Sequence, residues 1–379
     1  MKRPLLVAYR ALGLGDLLTG VPALRALRAA HPGHEVVLAA PRALAPLAQL
    51  TGAVDAVADT APLAVPALRA PDVAVNLHGR GPQSHRALLA ARPRRLIAFA
   101  CAGVWAEGPP WRAEEHEVVR WCRLLTASGV PADPARLDLP VPPWEPPAGL
   151  RGVTVVHPGA ASAARRWPPE RWATVAAAER RAGRRVVVTG AAAERGLAAA
   201  VADAAGLPAA AVLAGRTDLR ALAALVAHAG RVLCGDTGIA HLATAFGTPS
   251  VILFGPTPPA EWGPPPERAQ HVVLYRGGRG DPHAEAPDPG LLAIEVPDVL
   301  GVTGGRFPRR VRGKAQSMGI TDKISGKAKQ VVGDITGDDS THREGKLEER
   351  KGDVKDAQAR AEERADEKAD EVADLERRT

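Results

Sequence analysis

Apolar residues along the chain fall into short runs, separated by glycine- and proline-containing turns, that alternate with stretches of helical spacing. Residues 4–9 (Pro-Leu-Leu-Val-Ala-Tyr) are apolar almost throughout, as a parallel strand covered on both faces requires. A Gly-rich turn follows at 10–16, and from Leu17 to Arg28 the apolar positions recur at helical spacing until His31-Pro32-Gly33 stops them. Glu35–Ala39 predicts the next strand, Leu44–Leu50 a helix, and Val54–Val57 and Asp72–Asn76 further strands. Residues 140–149 hold five prolines, which excludes helix interior and central strand. Beyond them the rhythm restarts with strands at Val153–Val156, Arg185–Thr189, Ala210–Leu213, Arg231–Cys234 and Ser250–Phe254, and helices at Glu170–Arg181, Asp218–His228 and from Ala243 onward. The pattern predicts an α/β protein. Two Rossmann-like domains with parallel sheets, 1–139 and 151–302, face a cleft and are joined by a stiff Pro-rich linker at 140–150.

In such sheets ligands bind beyond the carboxyl ends of the strands, so polar residues in the strand-to-helix turns are the candidates for chemistry. The stretch Gly235-Asp236-Thr237-Gly238-Ile239-Ala240-His241 places a glycine-bracketed turn between a strand and a helix N-terminus, where amide N–H groups and the helix dipole favour an anion. It is equally a plain turn, with Asp236 as helix cap and His241 packed locally. Arg165 and Arg166 lie in a Gly/Ala/Ser loop after a strand. Two guanidiniums there would clamp a diphosphate or merely charge the surface. Glu194 follows a strand on the same edge, where acidic residues accept from ribose hydroxyls, or is an ordinary exposed Glu. In the first half, Asp16 is a general base toward a hydroxyl or an N-cap for the helix from Leu17. Asn76 and His78, in a second polar turn, touch an acceptor or simply close the strand, and His116 is read on a solvated helix face.

Composition changes this picture in three ways. The 379 residues are 46% hydrophobic but only 3% aromatic, so large cores must be assembled from Ala, Val and Leu. No apolar run approaches the roughly 18–20 residues of a membrane span, and the start is a poor signal peptide. With three scattered cysteines (Cys101, Cys122, Cys234) lacking metal spacing, a cytoplasmic protein without a metal site is expected. The net charge of +7 is uneven. Residues 317–379 hold 13 of the 49 Lys+Arg and 17 of the 42 Asp+Glu, a balance of −4 that leaves +11 on 1–316. A basic body suits a phosphorylated substrate or peripheral contact with an acidic membrane surface, and equally follows from an Arg-rich composition.

Six stretches together resemble the family-9 glycosyltransferases, whose best-known members are heptosyltransferases of lipopolysaccharide assembly. They are Arg10–Leu24, His157–Ala160, Arg165–Pro168, Leu213–Leu219, Asp236–His241 and Phe254–Thr257, in the family's order over roughly 1–302. The resemblance implies a GT-B architecture and a metal-independent, inverting transfer from a nucleotide-diphosphate sugar to a hydroxyl of a glycan or glycolipid, with no cofactor. It puts Asp16 in the place of the catalytic base. Arg165, Arg166, Asp236, Thr237, Gly238 and His241 stand where the donor diphosphate and sugar are gripped, and Glu194 near the ribose. Arg165 replaces the Lys of many members, so the charge is kept and the geometry changes. The rival class is a non-catalytic or degenerate sugar-nucleotide-binding protein whose working part is the C-terminal tail.

After a Gly/Arg-rich linker at 303–316, the repeated Gly-Lys pattern of 317–357 resembles the CsbD-like stress-response family of small helical proteins. Residues 358–379 alternate in charge, as a solvated helix or a disordered tail does. The tail's negative balance disfavours nucleic acid as a partner.

Overall fold

The computed structural model of the protein describes residues 3–68 and 70–304. The expectations for 305–379, including the CsbD-like module and the charged tail, lie outside the described residues. Within the compact unit Met1–Arg312 the chain builds two five-stranded sheets, each wholly parallel. In the first, β1 (Leu5–Tyr9), β2 (Glu35–Ala40), β3 (Ala56–Asp59), β4 (Val73–Asn76) and β5 (Arg95–Ile97) lie in the order β3-β2-β1-β4-β5. They are linked through α1 (Leu14–Thr19), α2 (Val21–Ala30), α3 (Ala45–Leu50) and α4 (Gln83–Ala90), and α5 (Glu117–Ala127) follows β5. In the second, β6 (Thr154–His157), β7 (Val186–Val188), β8 (Arg231–Gly235), β9 (Ser250–Phe254) and β10 (His271–Tyr275) lie in the order β10-β9-β8-β6-β7. Their helices are α6 (Pro169–Arg181), α7 (Arg195–Ala204), α8 (Leu219–His228), α9 (Gly238–Phe246), α10 (Pro259–Trp262), α11 (Pro289–Leu292) and α12 (Val296–Thr303).

Each sheet reverses its strand order once, beside its first strand. β1 lies between β2 and β4, and β6 between β7 and β8. The loops that leave neighbouring strands at such a switch point diverge and open a crevice. The turns after β1 and β4, and those after β6 and β8, therefore flank the two crevices of the molecule.

Local chemistry explains the helix limits. Pro169 opens α6 at a position whose N–H has no helical partner anyway. Asp218 caps α8, its carboxylate accepting from Ala221 N at 2.8 Å. The apolar interior is built largely of Ala, Val and Leu, with Trp167 and Trp172 packed edge to face at 4.9 Å in the second half. One buried cluster runs through both halves, from Leu6, Leu24 and Leu38 to Val155, Ile239, Leu242 and Phe254. Polar ties reinforce it. Leu139 N donates to Ala245 O (2.8 Å), Arg268 reaches Asp138 (2.7 Å), and His116 Nε2 bonds Gly263 O (3.0 Å).

Several elements depart from the pattern-based expectation. Residues 209–211 form a single 3₁₀ turn rather than a strand, and Val212 alone bridges to Val188, since an Ala-rich stretch lacks the branched side chains that strands favour. The region 14–30 is two helices broken at Gly20, and β3 starts at Ala56, two residues late. The short strands β5 and β10 were not foreseen. Among the described residues no helix is long and apolar enough to cross a membrane.

His271, on β10, is buried with Nδ1 2.8 Å from Ser250 Oγ, and burial with Arg268 nearby lowers its pKa from 6.5 to about 4. Below pH 6.5 the unfolded chain takes up a proton that the folded chain refuses until about pH 4. Stability present at neutral pH is thus lost across that window, by up to about 3 kcal/mol for this residue. Urea unfolding between pH 7 and 4.5 is expected to show a smaller loss of stability in His271→Gln than in the unaltered protein, and equal losses would contradict this origin.

Candidate active site

The turn after β1 is organised by Arg10, whose side chain is fully buried. Its Nε bonds Asp16 O and its Nη1 bonds Leu77 O, so one guanidinium ties the turns after β1 and β4 together. Nη2 reaches Glu117 Oε1 (2.9 Å), Thr19 Oγ1 (3.1 Å) and Asp16 Oδ1 (3.3 Å), and the guanidinium lies over the Trp121 ring at 4.9 Å. Glu117, in the first turn of α5, also accepts from Arg120 and from Trp121 Nε1 (2.9 Å). Burial pushes its pKa up, but the charges and hydrogen bonds of Arg10, Arg120 and Trp121 outweigh that and hold it below the ordinary range, so Glu117 is a carboxylate.

Asp16 is the third residue of α1, not its N-cap, which is Gly13. Its Oδ2 accepts from Gly13 N at 3.2 Å, and its side chain is 26% exposed, the only acidic partner of Arg10 open to solvent among the described residues. Asn76 is fully buried. Its amide donates to Ser84 Oγ (3.0 Å) and Gly79 O (3.3 Å), and its Oδ1 accepts from His78 N (3.0 Å), so it shapes the turn after β4 from within. His78 stacks on Tyr9 (4.9 Å, 20°), and burial together with Arg10 lowers its pKa to about 4, which keeps it neutral at pH 7.

In the second half α9 begins at Gly238, five residues earlier than expected, with Thr237 as its N-cap. In this first turn the N–H groups of Gly238 and Ile239 have no helical acceptor, while Ala240 N donates to Thr237 O (3.0 Å). The loop after β6 runs alongside: a Cβ on Gly235 would meet Arg165 O at 3.3 Å. Arg165 Nε lies 3.3 Å from Ser162 Oγ, and Arg166 Nε donates to Ala160 O (2.9 Å). Asp236 is buried, which raises its pKa from 3.8 to about 6 against the opposing charge of Arg165. Glu194 accepts from Ala191 N (2.7 Å) and sits against Gly159, where any Cβ would collide with its carboxylate.

The two halves meet at these turns. A Cβ on Gly15 would stand 2.8 Å from His241 Cδ2, and one on Gly238 would stand 3.0 Å from Leu14 Cβ. At Gly15 a side chain would displace the His241 ring, and at Gly238 it would crowd Leu14. The turn that carries Asp16 thus abuts the helix start that carries Thr237, Gly238 and His241. His241 packs edge-on to Trp262 (5.9 Å). Burial, with His116 and Arg10 nearby, lowers its pKa to about 4 against the pull of Glu117. His116 is the half-buried N-cap of α5 rather than a residue on a solvated face.

Residues 111–285 match glycosyltransferase family 9 (heptosyltransferase). The match takes in 175 of the 379 residues, so it is a likeness of this stretch to the family. Over 65 residues it is 35% identical to the lipooligosaccharide heptosyltransferase 2 of Haemophilus influenzae, a stretch that is 17% of this chain and spans only 19% of that relative's length. The structure of the E. coli ADP-heptose lps heptosyltransferase II is similar with a TM-score of 0.61 and 21% identity, covering 80% of this chain and 98% of that one. The E. coli heptosyltransferase WaaC with ADP is similar at 0.60 and 19% identity, covering 79% and 99%. At these identities the likeness is one of fold, a GT-B-like pair of parallel-sheet α/β domains.

Arg10 and Glu117 are not legible as partners in the sequence because 107 positions separate them. The available signal was local. An Arg directly follows an apolar strand, and a Glu stands three and four residues before Arg120 and Trp121, on one helix face.

Asp236 illustrates a site held against stability. Its raised pKa means that stability is fully present below pH 3.8 and is lost as pH rises through about 6. Asp236→Asn is therefore expected to stabilise the ligand-free protein at pH 7.5, by up to about 3 kcal/mol, and much less at pH 4. Urea melts at the two pH values measure this. A variant less stable at pH 7.5 would contradict it.

Proposed function

We propose that the protein is an inverting glycosyltransferase that moves a sugar, heptose first among the candidates, from a nucleotide-diphosphate sugar to a hydroxyl of a glycan or glycolipid acceptor, without a metal. The observation that carries this is the abutment of the Asp16 turn on the start of α9, with Gly15 against His241 and Gly238. It brings a solvent-accessible carboxylate to the edge of an anion-binding helix terminus. ADP-heptose is the first donor to test because the E. coli relative is named for it.

The roles follow from the chemistry. The acceptor hydroxyl is a poor nucleophile until its proton is drawn off. Asp16, with Oδ2 fixed by Gly13 N and Oδ1 by Arg10, takes that proton as the oxygen attacks the anomeric carbon. The bond from that carbon to the β-phosphate oxygen breaks, and its electron pair stays on the nucleoside diphosphate. Arg165 and Arg166, the Thr237 hydroxyl and the leading N–H groups of α9 stabilise the growing charge. Asp236 and His241 line the sugar side of the diphosphate, and Glu194 accepts from the ribose. His78 and the turn shaped by Asn76 border the acceptor. The basic body fits an acceptor held at the cytoplasmic face of a membrane.

A thermal-shift screen of ADP-, GDP- and UDP-sugars tests donor binding, since a ligand at 100 times its Kd adds about 2.7 kcal/mol of stability. No shift with any of them would contradict the proposal. Asp16→Ala is expected to lower kcat by about 10²–10⁴-fold while calorimetric donor affinity stays within about twofold. An equal loss of affinity would remove Asp16 from the role of base. Arg165→Ala is expected to weaken ADP more than adenosine, and equal weakening would remove it from the phosphate.

A further inference from the structure

The base proposed above has a support that lies far from it in sequence and outside both crevices. Arg10 is buried completely, and an isolated buried guanidinium is strongly unfavourable. Its acidic partners among the described residues are Glu117 at 2.9 Å and Asp16 at 3.3 Å, the first buried and the second partly open. Glu117 thus supplies the close counter-charge, and Asp16 receives the longer contact. Without Glu117, Arg10 would draw the Asp16 carboxylate inward as its remaining counter-ion, away from the side that faces an acceptor. Arg10 also grips the backbone carbonyls of Asp16 and Leu77, so its placement sets the height of the whole turn.

Resting on the reading of Asp16 as base, we propose that Glu117 is a positioning residue for the transfer: through Arg10 it holds the Asp16 carboxylate at the working distance from the acceptor oxygen. Glu117 itself touches no substrate, since Arg10, Arg120 and Trp121 occupy it from the inside of the fold. Trp121 and Trp111, which carry Arg10 and Arg120 on their ring faces, complete the mount. A displacement of about 1 Å at such a group costs on the order of 10²-fold in rate.

The test uses the full chain, with release of nucleoside diphosphate from ADP-, GDP- and UDP-sugars as the readout and Asp16→Ala measured alongside. Glu117→Gln is expected to lower kcat at least about tenfold while KM and the calorimetric Kd for ADP stay within about twofold, and Glu117→Asp to recover part of the loss. Arg120 keeps the carbonyls of Arg112, Ala113 and Glu115 in these variants, which favours folding. If Glu117→Gln does not fold, the double variant Arg10→Gln/Glu117→Gln removes two of the three buried charges and leaves Arg120 on the carbonyls of Arg112, Ala113 and Glu115. It is expected to bind ADP normally and to show the same loss of kcat. A folded variant with kcat within twofold of the unaltered protein, or one whose ADP affinity falls as far as its kcat, would overturn the positioning role. Were Asp16→Ala slow and Glu117→Gln fast, positioning alone would fall. Were Asp16→Ala as fast as the unaltered protein, or the unaltered protein inactive on every donor, the base reading would fall and this inference with it.

Discussion

A guanidinium with no access to water has to be neutralised and hydrogen-bonded where it stands, and Arg10 meets that requirement by drawing three separate pieces of the chain onto itself. The turn after β1, the turn after β4 and the first turn of α5 all supply acceptors. The positive charge is not there for stability, since a packed apolar side chain would serve the core as well or better. What it adds is a fixed geometry at the switch-point edge of the first sheet. The Asp16 carboxylate is the part of this cluster that remains open to solvent.

The second half answers with dipoles and charge. Its switch point between β6 and β8 presents the start of α9 and the Arg165–Arg166 loop on one side of the crevice. The two halves come into contact at glycines 15 and 238, where a Cβ would overlap the His241 ring or be tight against the Leu14 side chain. Burial around this contact has electrostatic consequences. His78 and His241 are kept neutral at pH 7, while Asp236 is held as a costly carboxylate beside Arg165. A neutral histidine gives or accepts a hydrogen bond without opposing a phosphate or attracting one, so the cationic side of the crevice is left to arginine.

Much of this was legible in the amino-acid sequence. The alternation of apolar runs with helical stretches defines the parallel sheets, and glycine-rich turns after apolar strands mark the carboxyl edges of those sheets. Arg165, Asp236 and Thr237 lie in such turns, and Asp16 and Gly238 to His241 in the first helical turn that follows one. What the sequence hid is of two kinds. The edge strand β5 has only three residues, β10 follows a helix of only four residues and so falls outside the strand–helix alternation, and the Ala-rich stretch at 209–213 has no pattern that separates strand from turn. Long-range polar partnerships were also invisible. Nothing near Arg10 announces Glu117, and nothing near Asn76 shows that its amide is spent inside its own turn. A residue's type gives the chemistry it is capable of, while burial and partners decide whether that chemistry faces a substrate.

The account depends on the Asp16 turn and the α9 start closing on one and the same ligand. Hydrogen–deuterium exchange of the full chain with and without ADP-heptose addresses this directly, because it reads both turns in one experiment. Slower exchange is expected at the amides of 13–17 together with those of 236–240. Protection in neither segment, or in only one of them at saturating ADP-heptose, would contradict it.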